Sequence, residues 1–569
     1  MQKAADRKQN SAPAVFSNAD IADRLASLAQ LLSTQKENPY KVRAYHRAAE
    51  RIRSVPESLD EMVRRKEDLT QFAGIGAAIA SSIQEIVTTG TLSKLERLRG
   101  EVSPAIAELI AHHPLDPKRV MRMYKKLNIS SLSQLRQRLD SGEIGKLFGS
   151  RVEQHIRQGL TQTHAMLLYR AEDLSGLIKG FLLNFCGVRR VEIAADLRRR
   201  VEVIEELVFV IETGDFPKVI ERMQRYGGRT TLVNAGEDWA SFALSSGIWM
   251  RLQVASDENW GFYLVACTGA TAHLKRLTAS TAPLRDLKRG GFRTEKALYR
   301  RFNLQYVEPE LREGRDEVER AAAATLPRLV TGSDLRGELH AHSLSSDGVD
   351  SIEDMAAAAG ARGYEYIGIT DHSQGLKIAG GVSVDDLWQQ LRYIDKLNRK
   401  LRGFRILKSS EVDIHADGSL DYPDALLKEL DYTVCSIHSR FSLGKSEQTE
   451  RLMRAMDNRY FNILGHATGR LLLKRPGYEI DVARVIDHAR QNGCFFEINS
   501  SPDRLDLSAE NAHRAAGSGV LVAVSTDSHS TGELGLARYG IDQARRAGLE
   551  KSDILNSLSW NKLQPLFQR

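Results

Sequence analysis

The sequence predicts a multidomain protein of α and α/β class: helical modules first, an α+β region next, and a strand–helix barrel last. Three observations predict it. A chain of 569 residues exceeds what one hydrophobic core organises. Apolar residues recur three and four apart through 21–32 and 44–52, the spacing of amphipathic helices. Seven short apolar runs in the last third each end in a residue with affinity for metals. In chain order those endings are His340-Ala341-His342, Asp371-His372, Glu411-Val412-Asp413, His438, His466, Glu497 and Asp527-Ser528-His529. Strands that deliver such side chains at their carboxyl ends, repeated around a closed sheet, gather them at one mouth.

Composition narrows the class. The apolar fraction is 42% and the charged fraction 27%, values of an ordinary globular protein. No run approaches the roughly 20 apolar residues of a membrane span. The polar first sixteen residues lack an apolar signal core and read as a disordered tail, so a cytoplasmic location is expected. Cys186, Cys267, Cys435 and Cys494 lie far apart in apolar runs and read as buried thiols. A net charge of +7 is compatible with a polyanionic partner.

Taken in order, residues 17–100 are helical. Within 71–90, Gly74-Ile75-Gly76 forms a tight turn between two helices, a helix-hairpin-helix pattern whose bared amides suit a phosphate oxygen. Residues 101–175 continue as a helical block. Where a second hairpin belongs, 113–118 carries Asp116 and Pro117 and no glycine. Lys118, Arg119, Arg122, Lys125 and Lys126 place cations on one helical face suited to a phosphate backbone. Strand-like runs at 201–204, 207–211, 230–233, 239–245 and 248–254 mix with helices in an α+β pattern over 176–307. A polar linker, 308–332, leads to the barrel at 333–569.

At this point the chain resembles the bacterial family X DNA polymerases that carry a C-terminal PHP (polymerase and histidinol phosphatase) domain. Glu37 through Tyr45 resembles the start of their DNA-end-binding domain, Gly74-Ile75-Gly76 their first hairpin, Thr268-Gly269-Ala270 their palm–thumb junction, and 306–312 their linker. The resemblance implies a fingers-like block over 101–175, a nucleotidyltransferase-like palm and thumb over 176–307, and a distorted (β/α)7 barrel. It also implies nine metal ligands: His340, His342, Asp347, His372, Glu411, His438, His466, Asp527 and His529. Its grouping assigns His340, His342, Glu411 and Asp527 to one ion, Asp347, His372 and His529 to a second, and His438 and His466 to a third bridged by Glu411. The spacings are chemically sensible, since residues two apart on a strand share a face. Mixed imidazole and carboxylate donors favour three divalent ions of Mn, Zn or Fe over Mg.

The palm departs from the resemblance. Where that family holds metals with three carboxylates, this chain has Glu206, Val208 and Arg251. Valine ligates nothing and arginine repels cations, so these positions read as degenerate. The triphosphate grip is replaced by Ala195-Asp196 ahead of Arg198-Arg199-Arg200, a run suited either to DNA phosphate or to a solvated face.

The expected activity is therefore a metal-dependent 3′-to-5′ exonuclease or 3′-end-processing phosphodiesterase acting on gapped or damaged DNA in repair, close to the nucleoid. Candidate DNA contacts are Gly74 and Gly76 in the hairpin and Lys377, Arg440, Arg470 and Arg504 past the ligand-bearing strands. The alternatives are a polymerase with weak gap-filling synthesis, a histidinol-phosphatase-like phosphomonoesterase, and a DNA-binding scaffold without catalysis. His415, His488 and His513 read as structural, Asp371 and Asp413 as carboxylates that orient imidazoles, and Glu497 as a supporting acid.

Overall fold

A computed structural model describes residues 16–100 (17, 35–38, 56 and 73 apart), 138–149 (140 apart), 153, 165–226, 230–244 and 248–568. The segment 113–126, with its missing second hairpin and its cationic helix face, lies outside the described residues, as do the first fifteen. No described helix is long and apolar enough to cross a membrane.

The N-terminal module contains α1 (Asn18–Thr34), α2 (Pro39–Ser54), α3 (Leu59–Arg64), α4 (Ala77–Thr89) and α5 (Ser93–Gly100). Its core is the apolar stripe of the sequence: Ile21, Leu25, Leu28 and Leu32 meet Ala48, Ile52, Ile83 and Leu95. Each fully buried aliphatic side chain contributes roughly 1.5–3 kcal/mol. Between α3 and α4, Gly74 takes φ +85°, which an L side chain rarely adopts, while Ile75 plugs the core at 2% exposure. Gly76 caps α4 without a side chain, leaving its first amides open.

The middle region holds a short ribbon, β1 (Met166–Leu167) with β3 (Val203–Ile204), and a five-stranded sheet. That sheet contains β2 (Arg190–Ala194), β4 (Glu206–Glu212), β5 (Thr231–Ala235), β6 (Trp239–Ala243) and β7 (Trp249–Val254), ordered β2-β4-β7-β6-β5. All its neighbours are antiparallel except β4 and β7. Leu207, Phe209 and Ile211 face the helix Leu168–Phe185, which crosses the boundary expected at 175. Val208 and Val210 face the other way, against Trp260 and Leu264.

The expected linker is a packed element. Arg312 is fully buried and donates to Glu295 Oε1 at 2.6 Å and to the Val307 carbonyl at 2.9 and 3.0 Å. Glu317 binds His273 Nδ1 at 2.6 Å. A polar sequence concealed this, because each charge carries its partner inside.

The last region is a seven-stranded parallel sheet in sequence order: β8 (Gly337–Glu338), β9 (Tyr366–Ile369), β10 (Arg405–Asp413), β11 (Tyr432–Ser436), β12 (Ile463–Leu464), β13 (Phe495–Asn499) and β14 (Val522–Ser525). A parallel bridge between Ala341 and Ser528, with His342 N donating to Ser528 O at 2.8 Å, joins the two edges just past their strands. Serine or aspartate starts several of the covering helices: Ser351, Ser383, Asp481 and Ser508 each accept a first-turn amide. Inside, a Cβ on Gly368 would lie 1.8 Å from the Tyr432 hydroxyl, which donates to Leu339 O across the barrel. Leu563 and Phe567 of the final helix, Trp560–Phe567, close the bottom, so the open end is the one where the strands finish.

The regions interlock. Leu505 and Tyr539 of the barrel are buried in the core beneath the five-stranded sheet. Arg51 of α2 donates to Ser530 Oγ at 2.6 Å, beside His529 on the barrel rim.

Candidate metal centre

The barrel brings all nine expected side chains to its open end. Strand β8 runs into His340 and His342, β9 into His372, β11 into His438, β12 into His466 and β14 into Asp527 and His529, while Glu411 stands within β10. Asp347 returns over the mouth on the turn after His342: its Oδ1 lies 3.6 Å from His372 Nε2 and its Oδ2 3.4 Å from His529 Nε2. Glu411 is central. Its Oε1 faces His466 at 2.9 Å and His438 at 3.3 Å, and its Oε2 faces His372 at 2.7 Å and His340 at 3.5 Å. His342 Nε2 is 3.1 Å from Asp527 Oδ1.

Three groups of donor atoms are close enough to share an ion: His342, Asp347, His372 and His529; His340, His342 and Asp527; and His372, Glu411 and His438. These groups overlap the expected partition and depart from it: His342 and His372 are each shared between two groups, and Glu411 falls with His372 and His438 instead of with His340, His342 and Asp527. His466 stands beside Glu411, outside these three groups.

The donor set fits divalent cations. His340 Nε2, His342 Nδ1 and His466 Nδ1 are buried and make no hydrogen bond, and the 2.7 Å approach of His372 Nδ1 to Glu411 Oε2 is a charge contact without hydrogen-bond alignment. A folded protein rarely leaves buried polar atoms unsatisfied, and these meet at one mouth. His466 and Asp527 hold φ of +25° and +55°, strained values tolerated where a side chain must be aimed.

Electrostatics run the same way. Burial lowers an imidazole pKa, yet Glu411 together with Asp347 pushes His372 up to about 10, and Glu411 together with Asp413 pushes His438 up to about 9. Asp347 and Asp527 likewise raise His529 to about 9 against its burial. His342, buried between the cationic rings of His529 and His372, falls to about 4. Glu411 and Asp527, despite burial, are held well below the usual carboxylate range by the surrounding imidazoles.

Supporting carboxylates aim the rings. Glu497 contacts His340 Nδ1 at 2.7 Å, and Asp413 contacts His438 Nδ1 at 2.5 Å. Asp371 differs from expectation: it orients no imidazole, but accepts from Ser343 N, Ser343 Oγ, Ser346 Oγ and Gln390 Nε2, fixing the turn that carries Asp347. Sequence reasoning missed Asn499, whose Nδ2 donates to Asp527 Oδ2 at 3.0 Å; an asparagine two residues past Glu497 on one strand was the available signal. His415, His488 and His513 pair with Asp421, Asp457 and the Ala547 carbonyl, and none belongs to the three donor groups.

The candidate phosphate contacts divide. Lys377 and Arg440 are exposed. Arg504 Nε lies 3.6 Å from Asp527 Oδ2, at the centre itself. Arg470 does not fit the expected role: it grips Glu202 at 2.8 and 3.3 Å and donates to the Arg504 and Leu505 carbonyls, tying barrel to sheet.

In the five-stranded sheet, Val208 pairs with Arg251 and Glu206 with Trp249 across β4 and β7, and Arg251 Nε lies 3.5 Å from Glu206 Oε1. The three positions read as degenerate therefore do converge. The basic run is neither a free face nor a free phosphate grip. Arg198 forks onto Glu295 at 2.9 and 2.5 Å, Arg199 donates to Thr268 O at 2.6 Å and pairs with Glu313 and Asp196, and Arg200 pairs with Glu172.

The fold and site define an enzyme with a helix-hairpin-helix module and a PHP phosphoesterase barrel. Residues 16–92 match the helix-hairpin-helix domain family and 338–501 the PHP domain family. The chain is 32% identical to the DNA polymerase/3′-5′ exonuclease PolX of Bacillus subtilis (strain 168) over 97% of its own length and 99% of that protein. The chain therefore belongs to the PolX family. The chain is also 32% identical to a probable phosphatase of Thermoanaerobacter sp. (strain X514) and 29% identical to one of Acetivibrio thermocellus, over 39% and 35% of this chain and 89% and 81% of theirs.

Proposed function

We propose that this protein is a metal-dependent 3′-to-5′ exonuclease, or 3′-end-processing phosphodiesterase, acting on gapped or damaged DNA, and that its five-stranded sheet does not support synthesis. The observation that carries the reading is the set of unsatisfied buried donors at the barrel mouth, in a chain that matches an exonuclease relative along nearly its whole length. The nine side chains named above are the proposed ligands, for three ions of Mn, Zn or Fe. Bound ions supply Lewis-acid activation of water and offset charge on the phosphate.

The protein's own groups do the rest. Glu497 and Asp413 set the tautomers of His340 and His438, so the opposite ring nitrogens face the centre. Arg504, Lys377 and Arg440 supply positive charge around a phosphodiester. Gly74 and Gly76 present amides to the DNA backbone, and the Arg51–Ser530 contact sets that module at the barrel rim. Such a protein works beside the nucleoid in the cytoplasm.

Loss of synthesis is supported by Val208, fully buried among apolar side chains, and by the Arg251 guanidinium beside Glu206, which repels the cations that phosphoryl transfer requires. The test is direct. With Mn²⁺, wild-type protein shortens a 5′-labelled primer, His340→Ala and Asp527→Ala abolish this, and added dNTPs give no extension. Absence of digestion across metals by folded protein would overturn the exonuclease reading; dNTP-dependent extension lost in Glu206→Ala would overturn the claim about synthesis.

A further inference from the structure

A groove of about 500 Å³ opens beside the metal centre, walled by the turn that follows His342 and by the helix Val384–Asn398. Leu344 and Tyr393 line it and are 63% and 40% exposed, high values for large apolar surfaces so near a catalytic mouth. No lysine or arginine lines it, and Glu353 and Asp386 stand at its wall. That charge repels phosphate. Gln390 also lines the groove at 7% exposure; its Nε2 donates to Asp371 at 2.6 Å, and its buried Oε1 makes no hydrogen bond. Two apolar faces and a spare acceptor, without cations, suit a neutral aromatic ring bearing amino hydrogens.

We propose that this groove receives a nucleobase at the 3′ end of the DNA strand, holding it while the adjoining phosphodiester lies at the metal centre. The inference rests on the exonuclease reading and adds what that reading lacks, a site for the base. Leu344 and Tyr393 sandwich the ring, and Gln390 Oε1 accepts from an exocyclic amine. Asp371 couples the groove to the centre, because the same carboxylate holds Gln390 and the Ser343–Ser346 turn that carries Asp347 forward.

The experiment compares a 5′-labelled oligonucleotide with one of equal length whose last two residues are base-free tetrahydrofuran sites. Wild-type protein with Mn²⁺ is expected to cut the first with the lower KM. Stacking on one aromatic side chain is worth about 5- to 150-fold, so Tyr393→Ala should raise KM for the natural end by that factor, Leu344→Ala should raise it in the same direction, and the base-free end should respond to neither. Equal losses on both substrates, no loss on either, or a wild type indifferent to the bases would each overturn the groove's assignment while leaving the exonuclease reading intact. A wild type that cuts neither oligonucleotide would overturn both.

Discussion

His340 and Glu497 form one buried unit: Glu497 Oε1 holds the His340 Nδ1 edge at 2.7 Å, and its Oε2 accepts the His466 backbone amide at 2.7 Å. One carboxylate thus aims an imidazole and fixes the strained backbone of a second candidate ligand. Glu497→Gln keeps the shape but removes the charge that fixes the tautomer. Metal affinity, or Mn²⁺-dependent primer digestion, should fall about 10- to 100-fold. An unchanged metal titration would show that His340 is aimed by packing alone.

Chelation should loosen the barrel. Ions that bind only the folded state stabilise it by about 3 kcal/mol at a hundred times their Kd. Treatment with EDTA is therefore expected to lower the melting temperature, and added Mn²⁺ or Zn²⁺ to restore it. A transition indifferent to both would mean that the clustered side chains satisfy one another.

Glu295 binds together the segment between sheet and barrel. Burial alone would raise its carboxyl, but Arg312 and Arg198 hold it at about 2. Glu295→Ala leaves the fully buried Arg312 without its carboxylate and should cost about 3–5 kcal/mol in urea unfolding. A loss below about 1 kcal/mol would be inconsistent with that burial.

Stability should also depend on pH at the joint between sheet and barrel. Burial, opposed by Arg200, pushes the Asp542 carboxyl up to about 6, and burial with Glu172 does the same to Asp173. A raised carboxyl favours the protonated folded state, so its contribution is complete below the unfolded pKa near 3.8 and is lost as pH rises through about 6. Asp542→Asn should remove roughly 2 kcal/mol of that decline between pH 4 and 7, measured as denaturant midpoints across the range. An unaltered slope would place the titration elsewhere.

Much of the centre was legible because strand ends have a rigid consequence: every carboxyl end of a parallel barrel faces one mouth, so His372, His438 and His466 had to meet. Gly74 was legible for a similarly local reason, its positive φ. What stayed hidden depended on partners distant in sequence. Arg470 looked like a phosphate contact until Glu202, 268 residues away, met it. Arg198 and Arg312 share Glu295 in a segment whose polarity read as solvent exposure. Asp371, adjacent to His372, looked like its support, yet its neighbours in space are two serines and a glutamine.

Leu505 and Tyr539 are rooted beneath the five-stranded sheet. Excising that sheet would strip both side chains to water and unseat the strand-end loop that bears Arg504. The five-stranded sheet is thus a foundation for the neighbouring barrel, and truncation to the barrel alone would forfeit solubility before it tested activity.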